Sequence, residues 1–123
     1  MTYAVRITTE SQYSPERSTP LKGLWFFVYR IRIENQSQVP LQLMTRHWLI
    51  TNAEGEVSEV RGPGVVGQQP RLEPGDAFEY VSACPLNTPF GTMRGSYQMV
   101  TDEGEDVDVP VPLFQLIQPH GLN

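Results

Sequence analysis

Apolar and polar side chains alternate with a period of two along most of the chain, the pattern of strands that bury one face. Tyr3, Val5, Ile7 and Thr9 alternate with Ala4, Arg6, Thr8 and Glu10 and predict a half-buried first strand. The segment Ser14-Pro15-Glu16-Arg17-Ser18-Thr19-Pro20 predicts an exposed loop, because its two prolines interrupt any ladder. A second strand is predicted from Lys22 to Glu34, where every odd position from Trp25 to Ile33 is large and apolar. Its even positions begin apolar at Leu24, Phe26 and Val28 and turn polar at Arg30, Arg32 and Glu34. One face is therefore buried throughout and the other only at one end, as in the central strand of a sandwich.

The third strand is predicted over Val39 to Thr51, with Leu41, Leu43, His47 and Leu49 on one side and Met44, Arg46, Trp48 and Ile50 on the other. Asn52-Ala53-Glu54-Gly55 reads as a hairpin-type turn, followed by a short strand from Glu56 to Arg61 carrying Val57 and Val60. A Gly/Pro-rich loop is predicted from Gly62 to Gly75. Alternation resumes from Asp76 to Ala83, with Phe78 and Tyr80 on one face, before a loop from Pro85 to Gly91. Thr92 to Thr101 alternates Met93, Gly95, Tyr97 and Met99, and Asp102-Glu103-Gly104-Glu105-Asp106 forms an acidic turn. The last strand, Val107 to Gln118, places Val109, Val111, Leu113 and Gln115 on one face. Pro110 and Pro112 within it predict an edge strand or a bulge.

Seven strands with regular turn signals, and no sustained helical period, predict an all-β fold: a seven-stranded antiparallel β-sandwich, immunoglobulin- or fibronectin type III-like. An antiparallel barrel is the alternative. The chain has 123 residues, 39% of them hydrophobic, and is expected to form a single domain over residues 1–123. Its 11 Pro and 10 Gly argue against a helix bundle. Nine basic against 14 acidic residues give a net charge of −5, and Lys22 is the one lysine, which disfavours nucleic acid as a partner. The longest apolar run, Leu24 to Tyr29, falls far short of the ~18 residues of a membrane helix. The N-terminal residues have no secretory pattern, and the lone Cys84 makes neither an internal disulfide nor a cysteine zinc site, so a reduced, cytoplasmic protein is expected.

Four groups of residues invite chemistry. Gly62-Pro63-Gly64-Val65-Val66-Gly67 matches the G-x-G-x-x-G spacing, in which glycines let a backbone approach a pyrophosphate at a helix N-terminus. Pro70 and Pro74 follow closely and exclude that helix, so the dinucleotide-binding reading fails on context. Three readings stay open for the loop: an ordered connection, a protein contact, or an anion-binding nest of backbone amides helped by Arg61 and Arg71. Inward-bonded amides would favour the first, exposed Val65 and Val66 the second, and convergent outward amides the third. The acidic turn with Asp108 reads as solvated charge rather than a hard-cation site. His47, His120 and Cys84 lie far apart and lack the partners of a catalytic constellation. The aromatics mostly fit core positions, with Trp25 or Phe26 a candidate for exposure at one end.

The runs Arg46-His47-Trp48-Leu49-Ile50-Thr51, Gly62 to Gly75, Phe78-Glu79-Tyr80-Val81-Ser82, Leu86 to Met99 and Val109 to Phe114, taken in order, closely resemble the ApaG family. The resemblance implies a fibronectin type III-like sandwich and a bacterial protein named for Co2+/Mg2+ efflux. It also implies a domain that in eukaryotes is a module of F-box proteins and of a DNA-polymerase-interacting protein, contexts that point to protein–protein interaction. It brings no catalytic residues and no cofactor. With no membrane-spanning segment, any link to efflux has to be indirect. The expectation is a non-catalytic interaction domain that contacts a protein partner through Arg61, Gly62, Gly64, Val65, Val66, Gly67 and Arg71. The alternative is a sensor that binds a pyrophosphate-containing nucleotide or dinucleoside polyphosphate at Gly62 to Gly67. No metal site is expected, and monomer and homodimer both stay open.

Overall fold

The computed structural model describes residues 3–119. The strands are β1 (Val5–Tyr13), β2 (Trp25–Asn35), β3 (Leu41–Asn52), β4 (Val57–Pro63), β5 (Arg71–Leu72), β6 (Ala77–Leu86), β7 (Phe90–Thr101) and β8 (Asp106–Ile117). Two short 3-10 turns, Pro15–Arg17 and Pro20–Lys22, fill the first loop. All pairings are antiparallel. One sheet has the order β1-β2-β6 and the other β4-β3-β7-β8, with β5 pairing onto β3. The two face each other as the sandwich that alternation predicts.

β2 follows its sequence pattern closely: Phe27, Tyr29, Ile31 and Ile33 are all buried, and Arg30 and Arg32 are exposed. Between the sheets Trp48 meets Tyr97 and Phe114 edge-on, with interplanar angles of 85° and 86°, and Tyr29 reaches across from the other sheet to Trp48 at 6.0 Å. Edge-to-face aromatic pairs contribute about 0.5–1.5 kcal/mol each beyond the area they bury. This group therefore joins the two sheets strongly.

The structure adds an eighth strand to the predicted seven. The two-residue β5 forms inside the Gly62 to Gly75 segment and pairs Leu72 with Leu41 and Arg71 with Gln42. The expected Pro85 to Gly91 loop is shorter, because β6 continues through Pro85 to Leu86 and β7 begins at Phe90. Pro85 is tolerated because β6 is an edge strand, with β2 as its only ladder partner among the described residues.

Two bulges correct the predicted faces. In β3 the register with β7 slips between Leu43 and Thr45, so Met44 is an extra residue. A bulge reverses which side chains point inward. Leu41 and Leu43 face the core before it, whereas Arg46, Trp48 and Ile50 turn inward after it, and His47 and Leu49 are not on the face of Leu41. In β8 the register with β7 slips beside Arg94, where Pro112 and Leu113 oppose one residue. Val107, Val109 and Val111 are buried ahead of the slip and Phe114 and Leu116 after it, so Leu113 and Gln115 are exposed rather than on the face of Val109. The two prolines thus mark both alternatives read from sequence, an edge strand and a bulge.

The sandwich is closed along one flank. There β1 lies against β8, and Ser11 Oγ donates to the Gln115 carbonyl at 2.6 Å. Along the other flank the edges β4 and β6 leave a groove between the sheets.

Candidate functional site

The glycine segment borders this open groove. Gly62 and Pro63 end β4. The Gly64 amide donates to the Met44 carbonyl at 2.9 Å, and Gln69 Nε2 donates to the same oxygen at 2.9 Å. The loop therefore satisfies the carbonyl that the β3 bulge releases from its ladder. Val65 and Gln68 then exchange backbone hydrogen bonds of 2.8 and 2.9 Å around a two-residue turn. Val66 (φ 43°) and Gly67 (φ 79°) both have positive φ, as a type I′ hairpin requires. For the β-branched Val66 that conformation is a strained one. The glycine at 64 serves a close approach: a Cβ there would sit 2.3 Å from the Gln68 carbonyl oxygen.

These facts bear directly on the three readings of the loop. The amides of Gly64, Val65 and Gln68 are spent inside the protein rather than gathered around an outside point. Val65 is 1% exposed and belongs to the core, so it offers no surface, while Val66 at the tip is 52% exposed. Arg61 and Arg71 do not converge on the loop. Arg61 sits opposite His47 and Arg71 opposite Gln42, roughly 15 Å apart along β3. Both are matched by carboxylates. Arg61 pairs with Glu59 at 3.1 Å, and Glu59 also binds His47 Nε2 at 2.6 Å. The His47 hydrogen bond, seconded by the charge of Arg61, holds the Glu59 carboxyl below its usual range. Arg71 is bound by Glu73 and Asp102, which raises its pKa and lowers that of Asp102.

The basic residue at the loop is Arg46, which sequence reasoning did not single out. Its Nη1 donates to the carbonyls of Pro63 and Gly64, each at 2.9 Å. Gly62 makes this possible, since a Cβ there would lie 3.1 Å from the guanidinium carbon and both of its terminal nitrogens. Among the described residues no carboxylate lies within 4.0 Å of Arg46. Arg46 stands between two adjoining hollows, of about 730 and 360 Å³, that share Tyr29, Arg46, Trp48 and Ser82. The larger runs past Ile50 and Val60 toward Asn52 and Glu56, and the smaller is walled by Pro63 and the hairpin residues Val65 to Gly67.

Among the described residues, the one thiol of this groove is not poised as a nucleophile. Cys84 lines it, but burial pushes its thiol up to about 11, which keeps it protonated near neutrality. Tyr80 and Tyr97 share a 2.5 Å hydrogen bond, and burial raises both of their pKa values. The acidic turn is dispersed. Asp102 holds Arg71, Glu105 accepts from the Tyr3 hydroxyl at 2.7 Å, and Asp108 accepts from Gln98 at 2.7 Å. Among the described residues no group of three or more His, Cys, Asp or Glu is placed to share a metal ion. Trp25 is half-buried and donates to Gln118 at 3.0 Å, and Phe26 lies under the Arg17 guanidinium. His120 lies outside the described residues.

The comparisons with known proteins agree with this architecture. The ApaG domain family (DUF525) matches residues 15–101. The chain is 50% identical over 123 residues to Protein ApaG of Anaeromyxobacter dehalogenans, covering all of this chain and 97% of that one. It is 52% identical over 118 residues to Protein ApaG of Bdellovibrio bacteriovorus, covering 96% and 93%. A crystal structure of a Bordetella pertussis protein described as ApaA superposes with a TM-score of 0.92 at 47% identity, over 98% of both chains. None of these names states an enzymatic activity.

Proposed function

The chain belongs to the ApaG domain family, and from that premise we propose that it is a non-catalytic interaction domain, working in the cytoplasm through a protein partner held at its open flank. The observation that carries this reading is the pairing of an exposed hairpin tip with a groove that holds no reactive constellation. Val66 projects from a rigid type I′ turn whose neighbours Gly64, Val65 and Gln68 are fixed by backbone hydrogen bonds. Such preorganised apolar tips bind partners at little entropic cost. The free edges of β4 and β6 on either side of the groove suit the addition of an extended segment. The connection to Co2+/Mg2+ efflux that the family resemblance implies then runs through that partner. No helix among the described residues is long and apolar enough to cross a membrane.

The nucleotide alternative has less support, because the Gly64, Val65 and Gln68 amides are internally bonded and Arg61 and Arg71 are occupied by carboxylates. Gly64→Asp and Val65→Asp would disturb the fold itself, so Val66→Asp is the informative variant, since aspartate tolerates positive φ better than valine. Co-purification from cell extract should show a protein retained by the unaltered chain and lost with Val66→Asp. Retention of the same proteins by both, or of none by either, contradicts the reading.

A further inference from the structure

The strand bulge at Met44 turns Arg46 into the groove, and the glycine segment then holds it there by one nitrogen. Nη1 is spent on the Pro63 and Gly64 carbonyls, whereas Nε and Nη2 have no hydrogen-bond partner among the described residues. No buried side-chain nitrogen or oxygen among them lacks a partner, so Nε and Nη2 are reachable from solvent, on a residue that lines the groove. These two nitrogens form one edge of the guanidinium plane, the fork that matches the two oxygens of a carboxylate. We propose that Arg46 anchors a carboxylate, and that the groove takes the C-terminal end of an extended partner polypeptide whose last residues are apolar. This deepens the protein-contact reading above and rests on it.

Three features select that occupant. The first is charge: among the described residues Arg46 is the sole charged residue lining the smaller hollow, and the larger one adds only Glu56 at its far end, where Asn52 Nδ2 donates to it at 2.7 Å. A single cation suits a singly charged carboxylate better than a pyrophosphate, whose charge the Gly64, Val65 and Gln68 amides, already bonded inside the protein, do not share. The second is the apolar wall beside the fork, made by Trp48, Ile50, Val60 and Leu86. The third is the direction in which the groove closes. From Ile50 to Arg46 it runs about 13 Å along β3, room for about four extended residues. Beyond Arg46 the β4 edge ends at Pro63, which has no N–H to offer, and the Val65 to Gln68 hairpin stands across the path. A chain that ends with its carboxylate at Arg46 fits this walled end, the smaller hollow beyond being bounded by the hairpin. Capture of a terminal carboxylate beside a sheet edge is a recurrent mode of peptide recognition.

The test is an NMR titration of the full chain with three probes, following the backbone amides and the arginine Nε–H signals. N-acetyl-leucine carries the terminal carboxylate and an apolar side chain, N-acetyl-leucinamide lacks the charge, and sodium pyrophosphate tests the anion alone. N-acetyl-leucine is expected to move Arg46 Nε–H and the amides of Val60, Gly62 and Ser82, and the amide is expected to leave them in place. Arg46→Lys keeps the charge but loses the fork, and should weaken N-acetyl-leucine binding at least ~10-fold. The acid–amide contrast in the unaltered chain decides the matter even if that variant fails to fold. Equal shifts with the amide, no groove shifts up to about 50 mM acid, or stronger shifts with pyrophosphate would each overturn the proposal. So would groove shifts that depend on protein concentration without any probe, which would assign the groove to a second copy. A silent titration together with partner loss in Val66→Asp would remove the Arg46 anchor and leave the protein-contact reading standing.

Discussion

The two flanks of the sandwich are finished in opposite ways. Along β1 and β8 the edges meet, Ser11 bridges to Gln115, and charged or hydroxylated groups such as Tyr3 and Glu105 pair at the rim. Along β4 and β6 the edges stay apart, and the space between them holds Arg46 with two of its nitrogens unused. The closed flank has a bulge of its own in β8, but that bulge seats Phe114 and Leu116 in the core and turns no charged side chain inward. The open flank needs a strand bulge to turn an arginine inward, a glycine at 62 to make room for it and a hairpin to supply carbonyls. Those features come together on the open flank alone, and the proposal of a binding edge rests on that difference.

The strongest way to break the comparison is to remove the support both flanks share. Trp48 touches Tyr29, Tyr97 and Phe114, so Trp48→Ala should cost about 3–5 kcal/mol and lower the urea midpoint for both flanks together. A loss well under 1 kcal/mol would mean the aromatic group does not join the sheets as described. Next in size is Gly62→Val, which drives a branched side chain into the Arg46 guanidinium and should cost about 1–3 kcal/mol. Ser11→Ala on the closed flank, which removes one exposed hydrogen bond, should cost no more than about 1 kcal/mol by the same denaturation assay. If the two variants cost the same, the open flank is no more finely built than the closed one.

How far the sequence foretells these flanks depends on the residue. β2 is legible because nothing interrupts its period of two: of the odd positions read from the chain, Phe27, Tyr29, Ile31 and Ile33 are buried and Trp25 is half-buried at the strand's end. β3 is not, because the bulge shifts the alternation from Leu41 and Leu43 to Trp48 and Ile50, and the apolar Met44 and Leu49 on the opposite faces hide the shift. β8 is legible in part, since Pro110 and Pro112 announce an irregular edge without saying which residue slips. The glycine motif is readable as a turn at Gly64 and Gly67, where φ is positive, but the role of Gly62 depends on an arginine 16 positions earlier in the chain. Arg46 itself gives no local signal. It acquires its place through the bulge and a pairing between distant segments, whereas Arg61 and Arg71, nearer the loop in sequence, are drawn off by carboxylates. The family resemblance and the sandwich are borne out, while the inward turn of Arg46 arises only from the three-dimensional pairing.

Two smaller effects sharpen the comparison. Val66 pays a conformational penalty at the hairpin tip, so Val66→Asn should raise stability by about 1 kcal/mol, measured as a rise in thermal midpoint. A fall would show that the exposed side chain makes contacts that outweigh the strain. The weakest effect concerns pH. Asp102 has a folded pKa below its ordinary value because of Arg71, so the pair adds stability above the unfolded carboxylate pKa and loses it as pH falls through the folded value. Asp102→Asn should therefore lower stability slightly at pH 7, with the difference vanishing toward strongly acidic pH. A difference that persists in acid would place the effect elsewhere than in this ion pair.

The central claim is that the β4–β6 flank, and not the β1–β8 flank, is where a partner binds. A photo-cross-linking amino acid placed at Val60 on the open flank and, separately, at Thr8 on the closed one tests it in living cells. A discrete adduct with another polypeptide from position 60 and none from position 8 is the predicted result. Adducts of equal yield from both positions, or from position 8 alone, would contradict it.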